Sequence, residues 1–459
     1  MACILDDGQL ITYSELLGTI EELGGELPRR SLLFIIGTND LPTLTCYLAA
    51  LESGAVALLL GVGIKEEQLN SLVDVYAPQF IFHSGQKFRQ SDDWKLVCEH
   101  GSYGLWQRPR VITPEMHEEL VLLLATSGST GSPKLVRLSM GNLISNAQSI
   151  GQYLGIDKDE RAITSLPFNY SYGLSVLNSH LHAGASLVLT SRSMLDAEFW
   201  RLISDYQVTS FAGVPYNYEM LLKLRFGRMS IPSVRTLTQA GGRLDSGMVR
   251  DVYEICSKKC INFYPMYGQT EATARIAYLP TNDVPRKLGS IGVAIPNGRL
   301  WIESQDGQIV SEPGITGELI YEGPNVSFGY AESRADLSLG DENHGVLRTG
   351  DLGHVDEDGF FYVDGRKSRF LKIFGIRISL DAVEKILMAK GITAAAHGLD
   401  DRLVLFIEQQ SSGLQVEDLR MELAETLGVN KAGLQILALT ALPRLESGKV
   451  NYQCLNQLL

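Results

Sequence analysis

The chain has few cysteines, and none of them is closely paired in sequence. Six cysteines are scattered over 459 residues, and no C-x-x-C pair occurs. This spacing argues against a disulfide framework or a zinc cage and favours a reducing compartment. We therefore expect a cytoplasmic protein.

Long apolar runs and an excess of positive charge are also missing. Apolar stretches such as residues 31–37 and 55–60 are far shorter than the ~20 residues that cross a bilayer. The first residues lack the basic and apolar parts of a signal peptide. Lysine and arginine number 40 against 53 aspartate and glutamate, which gives a net charge of −13. Because nucleic acids and anionic membranes attract basic surfaces, we expect neither as the main partner. The short apolar runs predict no membrane span.

The order of the apolar runs predicts an α/β protein, and the length suits about three domain-sized units. Up to residue 264, strand patterns alternate with helical ones, which predicts doubly wound parallel sheets. After residue 280, turn residues crowd together and apolar residues alternate with period two, which predicts antiparallel strands or a small barrel. From residue 372 onward strands and helices alternate again, which predicts a small separate lid.

One nine-residue segment has the pattern of a phosphate-binding loop. Residues 126–134 read TSGSTGSPK and follow an apolar strand. Glycines and small hydroxyls allow N–H and O–H groups to converge on phosphate oxygens, and Lys134 adds a positive charge. The lysine follows a proline, and no serine or threonine comes after it, so the segment is not the P-loop of kinases and GTPases. The alternative interpretation is a flexible turn.

Two further segments combine groups that suit a nucleotide. In YGQTE at residues 267–271, Tyr267 can stack on a base, Thr270 can reach a phosphate, and Glu271 can ligate Mg²⁺, which prefers oxygen ligands. In TGD at residues 349–351, Asp351 can accept hydrogen bonds from two ribose hydroxyls. Taken alone, each segment is equally compatible with an ordinary turn.

Two segments near the carboxyl end place cations in this acidic chain. Residues 365–379 read GRKSRFLKIFGIRIS, which is also the composition of a solvated edge strand. Residues 443–452 read PRLESGKVNY and place Lys449 on a loop that begins with glycine. The alternative interpretation of Lys449 is a surface lysine in a turn.

In this order the segments resemble the motifs of the adenylate-forming superfamily of acyl-CoA synthetases, adenylation domains and luciferases. The matching patterns are TSGSTGxPK, YGxTE, GELxxxGxxVxxGY at residues 317–330, TGD, GRxS with its following lysine, and PxxxxGK. The resemblance implies an α/β fold with a core domain at residues 1–367, made of two doubly wound α/β subdomains and a small β-barrel. It also implies a small mobile α+β lid domain at residues 368–459, with a hinge near Ser368.

The resemblance further implies a reaction. Family members use ATP, with Mg²⁺, to join a carboxylic acid to AMP with release of pyrophosphate. They then pass the acyl group to a pantetheine thiol, either of CoA or of a carrier protein that acts in trans. Two alternatives stay open: a stand-alone enzyme that adenylates an amino acid for a carrier protein, and a catalytically silent nucleotide-binding protein.

Roles for individual residues follow from the same resemblance. Lys449 would bridge the carboxylate and the α-phosphate, Thr270 would touch the α-phosphate, and Glu271 would bind Mg²⁺. After the lid turns about Ser368, Lys372 would help to form a tunnel for the thiol. The phosphate loop would contribute Thr126, Ser127, Gly128, Ser129, Thr130, Gly131 and Lys134. The base and ribose would be held by Gly241, Gly242, Tyr267, Gly268, Asp351 and Arg366.

The acid pocket is the part of the site that the resemblance defines least. Its walls would be formed by Asn169, Tyr170, Val214, Thr238, Ala240, Met266, Ala274 and Arg275. Amino-acid-activating relatives usually place an aspartate in an FDxS segment, whereas residues 168–171 here read FNYS, which disfavours an α-amino acid. Arg275 would meet either a polar or second acidic group of the substrate or a partner within the protein. We expect a modest acyl or aryl acid.

Overall fold

The computed structural model describes residues 1–84, 93–109, 111–125, 134–367, 369–374, 376–399, 401–408, 416–445 and 448–458. The elements up to residue 154 are β1 (Cys3–Ile4), β2 (Leu10–Ile11), α1 (Tyr13–Gly25), β3 (Leu32–Gly37), α2 (Leu41–Ser53), β4 (Val56–Gly61), α3 (Glu66–Tyr76), β5 (Phe80–His83), β6 (Lys95–His100), β7 (Tyr103–Gln107), β8 (Leu120–Ala125), β9 (Leu135–Ser139) and α4 (Met140–Leu154). Those that follow, up to residue 267, are β10 (Arg161–Ile163), α5 (Ser171–His182), β11 (Ser186–Val188), α6 (Ala197–Asp205), β12 (Ser210–Gly213), α7 (Pro215–Lys223), β13 (Thr236–Gln239), α8 (Ser246–Lys258) and β14 (Asn262–Tyr267).

Mostly short strands follow, and then the carboxyl-terminal elements. The strands are β15 (Ala277–Tyr278), β16 (Ser290–Ala294), β17 (Arg299–Glu303), β18 (Ile309–Val310), β19 (Gly317–Glu322), β20 (Gly329–Ala331), β21 (Val346–Val355) and β22 (Phe361–Arg366). The last elements are β23 (Phe370–Ile373), β24 (Ile376–Ser379), α9 (Leu380–Ala389), β25 (Ala394–Leu399), β26 (Arg402–Glu408), α10 (Val416–Leu427), β27 (Leu434–Leu439) and α11 (Tyr452–Asn456).

The first sheet is built around four parallel strands. Its strand order is β20-β9-β8-β4-β3-β5-β7-β6, and β8, β4, β3 and β5 run parallel. β3 and β4 are continuous apolar runs that are buried almost throughout, as expected for parallel strands covered on both faces. Helix α1 begins with a capping box, in which the hydroxyl of Thr12 accepts from the amide of Glu15 and the Glu15 carboxylate accepts from the amide of Thr12.

The second sheet combines a parallel half with an antiparallel half. Its order is β18-β17-β19-β21-β22-β16-β15-β14-β13-β12-β10-β11-β1-β2. Strands β11, β10, β12, β13 and β14 run parallel, and the pairing becomes antiparallel from β15 onward. The two sheets with their helices confirm the predicted α/β fold class. The strands predicted as a small barrel continue the second sheet beyond β14.

The carboxyl-terminal segment forms its own sheets and its own core. β23 and β24 make a hairpin, while β26 pairs antiparallel with β25 and parallel with β27. The side chains of Ile373, Val383, Leu387, Leu405 and Leu423 are buried together beneath this sheet. The change of sheet falls between β22 and β23, but Ser368 lies outside the described residues. The domain boundary at residue 368 and the hinge therefore stay predictions.

No helix in the described part of the chain is both long enough and apolar enough to cross a membrane.

Candidate active site

The candidate site lies at the carboxyl ends of the parallel strands of the second sheet. β12, β13 and β14 end at Gly213, Gln239 and Tyr267, and a 3₁₀ turn at Thr270–Ala272 follows β14. Ligands of open α/β sheets bind outside the carboxyl ends of such strands. The loops after these strands contain the predicted positions 214, 240–242 and 268–271.

Asp351 is the most enclosed acid of the site. Only 2% of its surface is exposed. One carboxylate oxygen accepts from the Tyr267 hydroxyl and from Gln269 Nε2 (3.0 Å), and the other accepts from Arg366 Nε (3.0 Å). Arg366 reaches it because β21 and β22 pair Asp351 with Arg366. The structure thus joins three of the predicted nucleotide-binding residues, which are Tyr267, Asp351 and Arg366.

Burial and mutual contact shift the ionisation of this group. Burial raises the pKa of the Asp351 carboxyl, while the charge of Arg366 and the hydrogen bonds oppose that rise. Burial also raises the pKa of the Tyr267 phenol well above its usual value, and the negative charge of Asp351 raises it further. The tyrosine therefore donates to the carboxylate as a neutral phenol near pH 7.

Glu271 and Lys134 meet through Tyr330. The Tyr330 hydroxyl donates to the Glu271 carboxylate (2.7 Å), and the ammonium of Lys134 lies 3.7 Å from the centroid of the Tyr330 ring. Lys134 also pairs with Glu332 (3.5 Å). Thr270 is placed beside them, with its hydroxyl 3.2 Å from that of Ser171 at the start of α5.

Lys449 reaches this site from the carboxyl-terminal loop. Its ammonium lies 5.3 Å from the centroid of the Tyr170 ring. Burial lowers the pKa of the ammonium, and the positive charge of Arg366 lowers it further, while Glu271 and Asp351 oppose the shift. The four charged groups therefore share one electrostatic environment.

Two further contacts hold this loop against the core. The guanidinium of Arg444 lies 5.2 Å from the centroid of the Tyr216 ring, and its Nη1 donates to the carbonyl of Gly448 (3.2 Å). Gly448 has φ +76°, and a Cβ there would lie 2.6 Å from Val214 Cγ2. A cleft of about 730 Å³ opens beside this contact, with Asn169, Val214 and Gly448 in its walls.

The predicted pocket residues meet in one apolar cluster. Val214, Ala240 and Met266 are buried together with Tyr172, and Tyr170 packs against them. A Cβ at Gly241, which has φ +82°, would lie 2.3 Å from the Tyr170 hydroxyl, so only glycine fits there without displacement. Gly242 follows at the end of the same loop, and Gly268 approaches the backbone of Ala274.

Thr238 and Arg275 form the inner end of this cluster. The Tyr172 hydroxyl donates to the Thr238 hydroxyl (2.9 Å). The guanidinium of Arg275 lies 4.3 Å from the centroid of the Tyr172 ring and is 1% exposed. The structure thus brings together pocket residues that come from α5, β13 and the segment after β14.

Some predicted positions are separate from this group or lie outside the described residues. Lys372 is exposed on β23, and its carbonyl accepts from the amide of Asp401. The predictions for Thr126, Ser127, Gly128, Ser129, Thr130 and Gly131, and for the hinge at Ser368, concern residues outside the described ranges. The roles assigned to them stay predictions.

Sequence reasoning missed several side chains that complete the site. Gln269 and Tyr330 stand inside motifs that were recognised, but the motifs gave them no role. Ser171 lies in the FNYS segment that was expected to line the acid pocket, but its contact with Thr270 was not foreseen. Tyr153, which contacts both Arg275 and Met266, carries no motif. A signal thus existed for the first three residues and none for Tyr153.

The donor set of the site suits Mg²⁺ together with phosphate. The described residues contain no group of three or more acidic, histidine or cysteine side chains that could hold a metal ion. Glu271 offers one hard oxygen donor, and its partner Tyr330 also contacts Lys134, the last residue of the predicted phosphate-binding segment. Mg²⁺ is typically bound in this way, by one or two carboxylates, by substrate phosphates and by water.

The fold and the grouping of these residues are those of an α/β enzyme with a candidate nucleotide site at the carboxyl ends of parallel strands. A family model described as "AMP-binding enzyme" matches residues 1–331. This match confirms the resemblance seen in the motifs: the chain belongs to the AMP-binding enzyme family.

Relatives and solved structures agree along almost the whole chain. An indoleacetate–CoA ligase of Aromatoleum aromaticum is 27% identical, over 98% of this chain and 93% of its own. A 2-succinylbenzoate–CoA ligase of Bacillus cereus is 29% identical, over 92% of this chain and 87% of its own. The O-succinylbenzoate Coenzyme A synthetase (MenE) of Bacillus subtilis in complex with AMP has a TM-score of 0.80 and 24% identity, over 99% of this chain and 94% of that one. ATP-bound MatB from Rhodopseudomonas palustris has a TM-score of 0.79 and 20% identity, over 100% of this chain and 95% of that one.

Proposed function

We propose that this protein is an AMP-forming acid–thiol ligase. It uses ATP to convert a carboxylic acid to an acyl-adenylate, releases pyrophosphate, and transfers the acyl group to the thiol of CoA. Family membership and the relatives named as CoA ligases support this reaction. The observation that carries the proposal is the position of Lys449, whose ammonium lies 5.3 Å from the centroid of the Tyr170 ring, in the same electrostatic environment as Glu271, Asp351 and Arg366.

The chemical difficulty of the first step is to bring two anions together. The carboxylate must approach the α-phosphate of ATP while pyrophosphate leaves. Fixed positive charge that is aimed at the reacting oxygens is the largest catalytic contribution in such steps. We assign this role to the ammonium of Lys449, with the hydroxyl of Thr270 donating to an α-phosphate oxygen.

The remaining groups bind the nucleotide. Asp351 accepts from the ribose hydroxyls, Arg366 holds that carboxylate in place, and Tyr267 lies against the base. The loop at residues 126–131 and Lys134 hold the departing phosphates. Lys134 and Glu271 both contact Tyr330, so the lysine that we assign to the phosphates lies near the carboxylate that we assign to Mg²⁺.

Glu271 is the protein ligand that we assign to Mg²⁺. The bound ion would neutralise phosphate charge and polarise the oxygens around the reacting phosphorus. The hydrogen bond from the Tyr330 hydroxyl orients the Glu271 carboxylate, and among the described residues no donor bonds its other oxygen. Removing the Tyr330 hydroxyl should therefore weaken Mg²⁺ binding, so that half-maximal exchange needs a higher Mg²⁺ concentration.

The second step requires a different position of the carboxyl-terminal lid. Rotation about Ser368 withdraws Lys449 and brings the strand that carries Lys372 to the site, where it lines the path of the thiol. CoA is the acceptor that the relatives' names support. A carrier protein acting in trans is a further acceptor that we propose to test.

All six cysteines are described and unpaired, which suits the cytoplasm, where we place the reaction.

ATP–pyrophosphate exchange over a mixed panel of fatty, aryl, hydroxy and amino acids tests the first step. We expect exchange with at least one simple acid, and AMP and acyl-CoA when CoA is added. Exchange restricted to α-amino acids would instead favour an adenylating enzyme for a carrier protein. ATP binding without exchange on any acid would identify a catalytically silent nucleotide-binding protein.

A further inference from the structure

Two arginines, Arg137 and Arg275, are among the largest fully buried side chains of the chain. Arg137 is surrounded by acceptors. It pairs with the carboxylate of Glu342, and its guanidinium also donates to backbone carbonyls. Those carbonyls belong to Phe328, Tyr330, Leu339 and Gly340. Its partners explain why this cation can be buried.

Arg275 has neutral partners only. Its Nε donates to the Ser175 hydroxyl (3.2 Å), and its Nη1 donates to the Tyr153 hydroxyl (3.2 Å) and contacts the thioether of Met266. Within the described ranges, no carboxylate pairs with Arg275 and no acceptor bonds its Nη2. Burial raises the pKa of the Tyr153 phenol, so that this partner is not a counter-charge near pH 7.

The other groups around Arg275 do not supply the missing negative charge. Arg275 lines a cavity of about 20 Å³ together with Thr238, His180 and Glu160. Burial lowers the pKa of His180 to about 4, so its imidazole is neutral. The carboxylate of Glu160 is already paired with Arg235 (3.1 Å).

Hydrogen bonds to the backbone of Arg275 fix its position. Its carbonyl accepts from the side-chain amides of Asn325 (2.9 Å) and Asn146 (3.3 Å). The guanidinium is also held over the Tyr172 ring, so it is not a flexible surface group that turns to water. A buried charge without a counter-charge destabilises a protein. A ligand that brings a negative charge to Arg275 would explain why the chain has an arginine at this position.

Arg275 and Lys449 lie at two ends of one row of aromatic rings. Lys449 lies on the Tyr170 ring, and Arg275 lies on the Tyr172 ring. The centroids of these two rings are 6.2 Å apart, with the rings edge to face. The two aromatic residues that we assign to the acid site therefore lie between two cations, Lys449 on the Tyr170 ring and Arg275 on the Tyr172 ring.

We propose that Arg275 binds a second anionic group of the acid substrate, so that the enzyme prefers a dicarboxylic acid to the matching monocarboxylic acid. The inference rests on the proposed function, because it assigns the substrate class of that same site. One carboxylate meets Lys449 and is adenylated, and the other accepts from Nη2 of Arg275. The spacer between them packs against Val214, Ala240 and Met266.

The test compares dicarboxylic acids with their own monomethyl esters in ATP–pyrophosphate exchange. Aliphatic and aryl series of increasing length are used, because each ester keeps the shape and removes one charge. For the acid of matching length, we expect a kcat/KM about 100-fold above that of its ester. Arg275→Met should bring this ratio close to one, mainly by raising KM for the diacid, and Arg275→Lys should keep part of it.

Arg137→Met is the matched control. It removes a buried arginine that has its own carboxylate, so we expect a lower Tm and an unchanged ratio of diacid to ester. Arg275→Met should keep or raise Tm, because it removes an uncompensated buried charge. A lower Tm together with an equal loss on acid and ester would assign a structural role to Arg275 and overturn the inference.

The two proposals fail in different ways. Exchange with monocarboxylic acids, without preference for any diacid in the wild-type enzyme, overturns the inference and leaves the proposed ligase function standing. Exchange with no acid at all overturns the proposed function itself. If Arg275→Met does not fold, the wild-type ratio and the partial ratio of Arg275→Lys decide the question.

Discussion

The ammonium of Lys449 lies 5.3 Å from the centroid of the Tyr170 ring, and this contact joins a loop near the carboxyl terminus to the start of α5. A cation above an aromatic face contributes ~0.5–2 kcal/mol, depending on its exposure. Arg444 makes a similar contact with Tyr216. These two contacts join the carboxyl-terminal segment to the core, and they are weak enough to be reversed, as the proposed two-step reaction requires.

Replacing Lys449 should separate the two half-reactions. We expect Lys449→Ala to lower acid-dependent ATP–pyrophosphate exchange by ~10²–10³-fold, because it removes one preorganised charge from the reacting oxygens. Transfer from a supplied acyl-adenylate to CoA should be spared. Lys431→Ala, an exposed lysine of the same carboxyl-terminal segment, is the control. Equal loss of both half-reactions in Lys449→Ala would reject the two-state lid.

Gly448 provides a test of docking that leaves the charge in place. A Cβ in Gly448→Ala would lie 2.6 Å from Val214 Cγ2, so the loop should fail to seat fully, and exchange should fall ~10-fold or more. Gly428→Ala is the matched control: Gly428 also has positive φ, +65°, but a Cβ there meets nothing within 4 Å. An equal fall in the exchange rate of both variants would show that backbone strain, and not the contact with Val214, slows the reaction.

The hydroxyl of Tyr267 should matter through Asp351. Tyr267→Phe removes one of the donors to this buried carboxylate and leaves Gln269 and Arg366. We expect the free energy of unfolding to fall by about 1–2 kcal/mol and the KM for ATP to rise several-fold. Urea unfolding and exchange kinetics measure the two effects. Tyr253→Phe, in which the lost hydroxyl makes no hydrogen bond within the described ranges, should change neither.

Stability should depend on alkaline pH through Lys449. Its pKa is below the ordinary 10.5, mainly because of burial. Between the lowered pKa and 10.5, the unfolded chain keeps a proton that the native chain has lost, so the free energy of unfolding rises with pH in this window. Wild type should therefore gain stability relative to Lys449→Met as the pH rises toward 10.5. Urea unfolding over a pH series measures this difference, and a constant difference would contradict the shift.

Much of the fold could be predicted from the sequence because the signals are local. β3 and β4 are unbroken apolar runs, and the helix before β3 begins with a capping box within four residues. The antiparallel half was predicted from its period-two alternation, but its continuity with the parallel half was not. That continuity depends on the pairing of β14 with β15 and of β15 with β16, which no local pattern specifies.

The site was predicted from motifs, and its supporting contacts were not. Asp351 and Arg366 were each assigned to the ribose, but their ion pair follows from the register of β21 and β22. Gln269 and Tyr330 were overlooked because their partners lie about 60 to 80 positions away in sequence. The sequence left open whether Arg275 meets the substrate or the protein.

The amino-acid sequence alone determined the order of strands and helices and the types of group present, because backbone periodicity and short spacings are properties of neighbouring residues. Only the tertiary structure decided that Lys449 meets Tyr170 and that Arg275, unlike Arg137, is buried without a carboxylate in the described chain. The physical reason is that burial and charge compensation depend on residues that are distant in sequence and become neighbours only when the sheets and the carboxyl-terminal segment pack together.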